Sequence, residues 1–186
     1  MNGQQSMFDE QLYDYLFVIE PDAATAEVVK GLKQLLHDRI VLSWQNLNSK
    51  PHLSLFEFRN VETAEEGIIR KTAEALKNIQ PFTVQLDGAE TFLHGNTLRS
   101  LVLKLKEPKP VSALQSAIRR ELHLRQQKLT PHVTIAGKIP VKNFNLLESA
   151  EEFDYRGGFV CAAVTILKRP ADGSKGFVVV HREVLT

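Results

Sequence analysis

Two five-residue segments of the chain combine the same residue types in the same order. Pro51–Leu55 is Pro-His-Leu-Ser-Leu and Pro131–Ile135 is Pro-His-Val-Thr-Ile, with His132 lying 80 positions after His52. Two of the six histidines in the chain meet this pattern. An imidazole exchanges protons near neutral pH, because its unperturbed pKa is about 6.5. The pair can therefore supply one base and one acid.

Strand geometry predicts which side chains of each segment act together. Successive side chains of a strand point to opposite faces, so His52 shares a face with Ser54, and His132 shares a face with Thr134. Hydroxyls donate hydrogen bonds to phosphoryl oxygens, while imidazoles exchange protons with attacking and leaving oxygens. If the two polar faces converge, we expect a phosphate site suited to the acid–base opening of a cyclic phosphodiester.

The paired segments also fit a purely structural role or a metal site. Each histidine can be a structural residue whose ring nitrogens are satisfied by hydrogen bonds. Two histidines from separate strands can also ligate zinc, but neither segment contains a Cys, Asp or Glu that would complete the ligand set. The histidines outside the two segments are interpreted as ordinary surface or structural residues: His37, His94, His123 and His181.

The rest of the chain predicts the elements that must position the two segments. Hydrophobic periodicity and turn residues predict strands over 13–20, 52–59, 81–86, 98–105, 131–137, 153–155, 159–167 and 177–182, and helices over 22–37, 62–79 and 110–127. The order strand, helix, Pro-His strand occurs twice. We therefore predict a single α+β domain over residues 1–186. It has two pseudo-symmetric lobes with mainly antiparallel sheets around a central cleft, and helices on the outer faces. Residues 1–10 are expected to form a flexible tail.

Composition limits the class of protein. The chain is 43% hydrophobic and 24% charged, with a net charge of +1, which does not favour a protein that coats nucleic acid nonspecifically. Residues 99–128 hold eight basic and two acidic side chains, which indicates either a solvated helix face or a positive rim that attracts a phosphorylated substrate. No apolar run approaches the roughly 20 residues that cross a membrane. The single cysteine, Cys161, is interpreted as a buried structural residue, and the expected location is the cytoplasm.

The paired segments, together with the opening strand Phe17–Pro21 and the helix after it, resemble the 2H phosphoesterase superfamily. That superfamily includes the bacterial RNA 2′,3′-cyclic phosphodiesterases once named 2′-5′ RNA ligases. The resemblance implies that His52 and His132 are the general acid and base. It also implies that Ser54 and Thr134 bind the phosphate, without a metal or an organic cofactor. The implied partner is a small nucleotide or an RNA end carrying a cyclic phosphate, and no obligate protein partner is evident.

Three more residues are candidates for binding the rest of the substrate, and a fourth is a candidate cap. Phe56 is predicted to continue the His52 face, where it would either stack a base or belong to the core of its lobe. Lys138 follows the second segment, near the place where RNA-active members of the superfamily often have an arginine. Arg99 begins the strand that corresponds to the first strand of the other lobe, where it would either reach the phosphate or be solvated at the strand end. Trp44 is a candidate to cap either the cleft or the core.

Two further functions remain open on sequence alone. The reverse of the hydrolytic chemistry forms a 2′-5′ linkage, so RNA ligation or end processing fits the same residues. A module that binds a nucleotide in the same cleft without turnover also fits. Intact histidines and hydroxyls in both segments favour the enzyme, because a binding module has no need for two proton-transfer groups.

Overall fold

The computed structural model describes residues 10–186, so the expected tail over residues 1–10 lies outside the described part except for Glu10. The strands are β1 Leu12–Ile19, β2 Leu53–Val61, β3 Phe82–His94, β4 Leu98–Leu105, β5 His132–Pro140, β6 Arg156–Cys161, β7 Ala163–Pro170 and β8 Val178–Val184. The helices are α1 Ala23–Ile40, α2 Trp44–Asn48, α3 Glu65–Leu76, α4 Lys109–Glu121 and α5 Val141–Phe144. None of these helices is long and apolar enough to cross a membrane.

The strands form one eight-stranded sheet in the order β6-β3-β4-β5-β2-β1-β7-β8, with every neighbouring pair antiparallel. We call β2-β1-β7-β8 lobe 1 and β5-β4-β3-β6 lobe 2. The lobes meet through one pair of residues, Leu53 and Val133. In each lobe the Pro-His strand is innermost, and the strand that precedes it along the chain lies next to it. The predicted α+β fold with two pseudo-symmetric, mainly antiparallel lobes is confirmed.

A β-bulge follows the polar part of the first motif. Phe17 pairs with Phe56 and Val18 pairs with Ser54, so Leu55 is an extra residue in β2 without a partner in β1. An inserted residue reverses the alternation of side chains beyond it. Leu55 and Phe56 are consequently both buried.

The second motif carries the same bulge at the corresponding place. Leu101 pairs with Ala136 and Val102 pairs with Thr134, which leaves Ile135 as the extra residue of β5. Ile135 and Ala136 are both buried. The two motifs therefore share their irregularity as well as their sequence pattern.

Each lobe is covered in part by a helix that follows a strand of the other lobe, α1 after β1 and α4 after β4. Helix α1 contacts β5 and β6, and α4 contacts β2. The Thr25 hydroxyl of α1 donates to the Gly158 carbonyl in β6 at 3.5 Å. The Gln115 amide of α4 donates to the carbonyl of the bulged Leu55 at 3.4 Å. Helix α3 packs against α4 and β8, and the core lies between these helices and the sheet.

Several sequence predictions of element bounds are wrong. The strand expected over 81–86 runs on to His94 as β3. The helix expected over 110–127 ends at Glu121, because His123 adopts φ 56° and the Arg119 side chain bonds the carbonyl of Arg125. The strand expected over 153–155 consists of Phe153, the last residue of a 3₁₀ turn, and two residues without regular secondary structure. The run 159–167 belongs to two strands, β6 and β7, in different lobes. An apolar sequence gives no sign of this break, because both strands bury side chains on the core face.

Candidate active site

The single pair that joins the lobes sets the arrangement of the two motifs. Because Leu53 lies opposite Val133 in antiparallel register, His52 lies opposite Thr134 and Ser54 lies opposite His132. Leu53 and Val133 are fully buried in the core. The two histidines and two hydroxyl residues are half-buried on the other face of the sheet. The structure thus brings together the four residues that the sequence singled out.

The spacing of these four residues leaves room for a phosphate. Residues directly opposite in an antiparallel pair have Cα atoms about 5 Å apart, and diagonal neighbours are about 7–8 Å apart. His52 and His132 are diagonal in this square, as are Ser54 and Thr134. A group bound over the centre of the square is flanked by an imidazole on two sides and a hydroxyl on two sides.

Both imidazoles are oriented by the same backbone contact. The Nδ1 atom of His52 lies 2.9 Å from the carbonyl oxygen of Lys50, and Nδ1 of His132 lies 2.8 Å from that of Thr130. A carbonyl oxygen only accepts hydrogen bonds, so Nδ1 of each ring carries a proton and donates it. Nε2 is then the atom of each ring that gains and loses a proton.

The proline of each motif helps to place this carbonyl. A residue before proline is held in an extended conformation, which restricts Lys50 before Pro51 and Thr130 before Pro131. Both prolines are buried. The proline of each motif therefore helps to orient the imidazole, because it restricts the residue whose carbonyl bonds Nδ1.

Apolar side chains form the floor and one wall of the site. Val18 and Val102 are cross-strand partners of Ser54 and Thr134, and both are almost fully buried. The ring of Phe92 in β3 packs edge-on against the ring of His132, with centroids 4.8 Å apart. The polar side chains of the two motifs therefore lie against buried apolar side chains.

A lysine stands beside the second histidine. Lys104 in β4 pairs directly with His132 and is exposed, and it forms no ion pair within residues 10–186. It belongs to the basic stretch 99–128. Another member, Arg119, is buried and lies over the ring of Phe56 at 5.1 Å. The basic stretch is thus divided between the site and the core.

A pocket of about 620 Å³ adjoins His52 in lobe 1. Its apolar lining comes from β1, α2, β7, β8 and the segment before β8, and includes Leu16, Val18, Trp44, Leu167, Phe177 and Val179. Trp44 is 75% exposed, so of the two positions expected for it, the structure selects the rim of the site over the core. Its polar lining includes Glu20, Gln45, Asn48 and Lys50.

Helix α2 is fixed to the second motif strand by one asparagine. The Asn46 amide donates to the Gly137 carbonyl at 2.9 Å and accepts from the Gly137 N–H at 2.8 Å. The same helix is held from the other side by Lys33 of α1, which donates to the carbonyls of Asn46 and Ser49. Burial lowers the pKa of Lys33 to about 8.

Phe56 does not lie in the site, contrary to the prediction. The bulge at Leu55 turns it to the core face, where its ring stacks on Phe17 with centroids 4.5 Å apart. It is 6% exposed. The prediction assumed regular alternation along the strand, which the bulge interrupts.

Arg99 and Lys138 lie at the far end of their strands from His132, also contrary to the prediction. Arg99 pairs with Ile139, and its guanidinium donates to the carbonyls of Gly95 and Leu98 at the turn between β3 and β4. Lys138 adopts φ 53° in an irregular part of β5. At about 3.3 Å per residue, both Cα atoms lie on the order of 15–20 Å from His132, which places them out of reach of a phosphate between the motifs.

Several residues of the site were not found by sequence reasoning. Phe92, Asn46 and Phe177 reach it from elements distant in the sequence. His94, interpreted as an ordinary residue, bonds the buried Ser100 hydroxyl at 2.8 Å, and that hydroxyl also accepts from the Lys138 N–H. Only the alternation of Phe92 and His94 on one face of β3 was a usable signal. Within residues 10–186, no group of three or more His, Cys, Asp or Glu side chains is spaced to hold a metal ion.

The fold and the paired motifs define the class of protein: a two-lobed α+β structure that presents two His-x-Ser/Thr strands at the junction of its lobes, as in 2H phosphoesterases. The chain belongs to the 2′-5′ RNA ligase superfamily, whose family model matches residues 19–173. No curated protein matches the sequence.

Solved structures share this fold at low sequence identity. The structure of Escherichia coli LigT in apo form is 16% identical, with a TM-score of 0.65, and the match covers 95% of this chain and 99% of LigT. TT0787 of Thermus thermophilus is 12% identical, with a TM-score of 0.64 and coverage of 92% and 97%. Kluyveromyces marxianus Usb1 is also 12% identical, with a TM-score of 0.50 and coverage of 90% and 96%. These likenesses describe the fold.

Proposed function

We propose that the protein is a metal-independent phosphoesterase that hydrolyses a cyclic phosphodiester, such as a nucleoside or RNA-terminal 2′,3′-cyclic phosphate. The observation that carries the proposal is the pair of imidazoles tied through Nδ1 to the carbonyls of Lys50 and Thr130. Both Nε2 atoms are thereby free to exchange protons with a group bound between His52 and His132.

In the proposed reaction one imidazole removes a proton from water, and the water oxygen bonds to phosphorus. The bond from phosphorus to one ring oxygen of the cyclic phosphate breaks. The other imidazole, protonated beforehand, gives its Nε2 proton to that oxygen. The product is a phosphomonoester on an opened ring. Ser54 and Thr134 donate hydrogen bonds to the non-bridging oxygens, on which negative charge accumulates in the transition state.

The site supports proton-transfer chemistry on an anion more than simple binding. A site that only binds a phosphate needs donors, and Lys104 with the two hydroxyls would supply them. Two imidazoles with matched orientation are an additional feature that serves transfer. Escherichia coli LigT has been crystallised in complex with 3′-AMP and with phosphate. As part of the proposal, we expect the present chain to bind ligands of the same chemistry.

The proposal is tested by hydrolysis of nucleoside 2′,3′-cyclic phosphates in the presence of EDTA. His52→Ala and His132→Ala are each expected to lower kcat by about 10²- to 10⁴-fold, because each removes one proton-transfer group. His123→Asn is the matched control, since His123 is exposed at φ 56°, a conformation that asparagine tolerates. Full activity in either alanine variant, or loss of activity with EDTA alone, contradicts the proposal.

The family description also favours a second candidate, the formation of a 2′-5′ phosphodiester by the same acid–base chemistry. Here the 5′-hydroxyl of a second RNA, not water, attacks the cyclic phosphate, and the 3′ oxygen leaves. Supplying one RNA that begins with a 5′-hydroxyl and another that ends in a cyclic phosphate separates the two reactions. A joined product in place of a monoester would support ligation.

A further inference from the structure

The two halves of the site are equivalent in backbone but different in chemistry. Ser54 pairs with Val18 and Thr134 pairs with Val102. Two positions before these valines, lobe 1 has Leu16 where lobe 2 has the polar Ser100. Two positions after them, lobe 1 has Glu20 where lobe 2 has Lys104. The wall beside His52 is therefore apolar with a carboxylate, while the wall beside His132 combines the ring of Phe92 with a hydroxyl and a cation.

This asymmetry fits a substrate with an uncharged ring on one side and an anionic group on the other. The 620 Å³ pocket beside His52 has the size range of small-molecule sites and their mainly apolar lining. We propose that this pocket, here called the ring pocket, holds the planar base of a nucleotide substrate, with Phe177 as the residue that stacks on it. The inference rests on the proposed function, since it assigns the place of the base relative to His52.

Phe177 is held in place by a network of charges. The guanidinium of Arg169 in β7 lies over its ring, 4.4 Å from the centroid. Arg169 donates to Asp14 and to Glu57, each at 3.3 Å. A stacking residue that is fixed before binding loses little side-chain entropy when the base arrives.

The network is anchored at Asp14, which is 6% exposed. Arg59 donates to the same carboxylate at 2.9 Å. Hydrogen bonding to Arg59 and then to Arg169 lowers the pKa of Asp14 despite its burial. The carboxylate stays charged at neutral pH, so Arg169 remains under the Phe177 ring.

The rim of the ring pocket supplies groups for the edge of a base. Gln45 and Asn48 in α2 line the pocket with amide groups, and each amide carries both donors and an acceptor. The Asn48 amide already donates one hydrogen bond to the Trp44 carbonyl at 2.9 Å, and its second N–H and its oxygen, together with the amide of Gln45, remain for a base edge. The ring pocket therefore favours stacking over selection of one particular base.

Trp44 is the single tryptophan of the chain and lines the ring pocket, so its fluorescence reports directly on occupancy. Titration with adenosine 3′-monophosphate is expected to quench Trp44, whereas inorganic phosphate leaves the emission unchanged. Phe177→Ala is expected to weaken nucleotide binding about tenfold, since stacking of one base contributes that order, and Phe177→Tyr to restore it. Val178→Ala is the matched control, because Val178 is the next residue and is exposed.

Turnover gives a second readout that separates this inference from the proposed function. With adenosine 2′,3′-cyclic phosphate, Phe177→Ala is expected to raise KM about tenfold. With a methyl riboside 2′,3′-cyclic phosphate, which has no base, KM is expected to stay the same. Equal effects on both substrates, or no effect of Phe177→Ala on KM and nucleotide binding, overturn the ring pocket. If the wild type hydrolyses neither substrate, the proposed function fails, and the Trp44 titration still decides the ring pocket.

Discussion

At the scale of residues, the site pairs each proton-transfer group with a hydroxyl from the opposite strand. His52 lies across from Thr134, and His132 lies across from Ser54. In the proposed reaction, a hydroxyl supplied across the junction makes each half of the reaction depend on both lobes. The hydroxyl of Thr134 can be removed with little change of shape by replacing the residue with valine.

We expect Thr134→Val to lower kcat/KM for a nucleoside 2′,3′-cyclic phosphate by about 10- to 100-fold. The reason is that a hydrogen bond to a charged group contributes about 1.5–3 kcal/mol. Steady-state kinetics measures the change, and circular dichroism checks that the variant is folded like the wild type. Thr83→Val serves as the control, because Thr83 is exposed on β3. An unchanged kcat/KM in Thr134→Val would remove this residue from phosphate binding.

Lys33 gives a prediction on pH dependence. Lys33 is 2% exposed, and its ammonium donates to Ser49 Oγ at 2.5 Å as well as to the carbonyls of Asn46 and Ser49. Its pKa is about 8 in the folded protein and about 10.4 in an unfolded chain. Between these values the unfolded state binds more protons, so the contribution of Lys33 to stability rises with pH.

We therefore expect the free energy of unfolding of the wild type, relative to Lys33→Met, to rise between about pH 8 and 10 by on the order of 1 kcal/mol per pH unit. Urea denaturation at several pH values measures this difference. Below about pH 8 both states bind the proton and the difference is expected to be flat. A difference that falls with rising pH would mean that hydrogen bonds to the ammonium outweigh its burial.

At the scale of elements, the bulges separate what the sequence predicts from what it does not. Alternation along Pro51–Leu55 correctly placed His52 and Ser54 on one face, because the bulge begins only after Ser54. The same rule failed for Phe56, which lies just beyond the bulge. The amino-acid sequence does not reveal this bulge, because Leu55 and Phe56 are both apolar and both buried. The placement of the motif residues His52 and Ser54 was therefore predictable from the sequence, whereas the placement of the residues around them was not.

The hydrogen bonds between Asn46 and Gly137 join helix α2 to β5, the strand of the second motif. We expect Asn46→Ala to lower the free energy of unfolding by about 1–3 kcal/mol, because it leaves the N–H and carbonyl of Gly137 without these partners. The matched control is Asn48→Ala, on the same helix, whose side chain bonds only the exposed Trp44 carbonyl within residues 10–186. Chemical denaturation of both variants compares them. Equal losses would show that Asn46 has no special role in joining α2 to β5.

At the scale of the whole molecule, the lobes are joined more by exchanged helices than by the sheet. Only Leu53 and Val133 pair between lobes, but α1 packs on lobe 2 and α4 packs on lobe 1. Strands β7 and β8 complete lobe 1 after the chain has formed all four strands of lobe 2. The duplicated order of elements predicted two lobes, but a pattern of separate segments does not indicate which lobe a helix covers.

This exchange predicts that the lobes unfold together. Leu36 of α1 and Leu114 of α4 are both buried in the core, and we expect Leu36→Ala and Leu114→Ala each to cost about 2–5 kcal/mol. Each variant should shift one common transition, with Trp44 fluorescence and far-ultraviolet circular dichroism coinciding at every denaturant concentration. If the lobes were independent, Trp44 would report only the unfolding of its own surroundings, and one variant would separate the two signals. Coincident curves in both variants would mean that the cleft cannot lose one wall without losing the other, because each wall is backed by a helix that follows a strand of the other lobe.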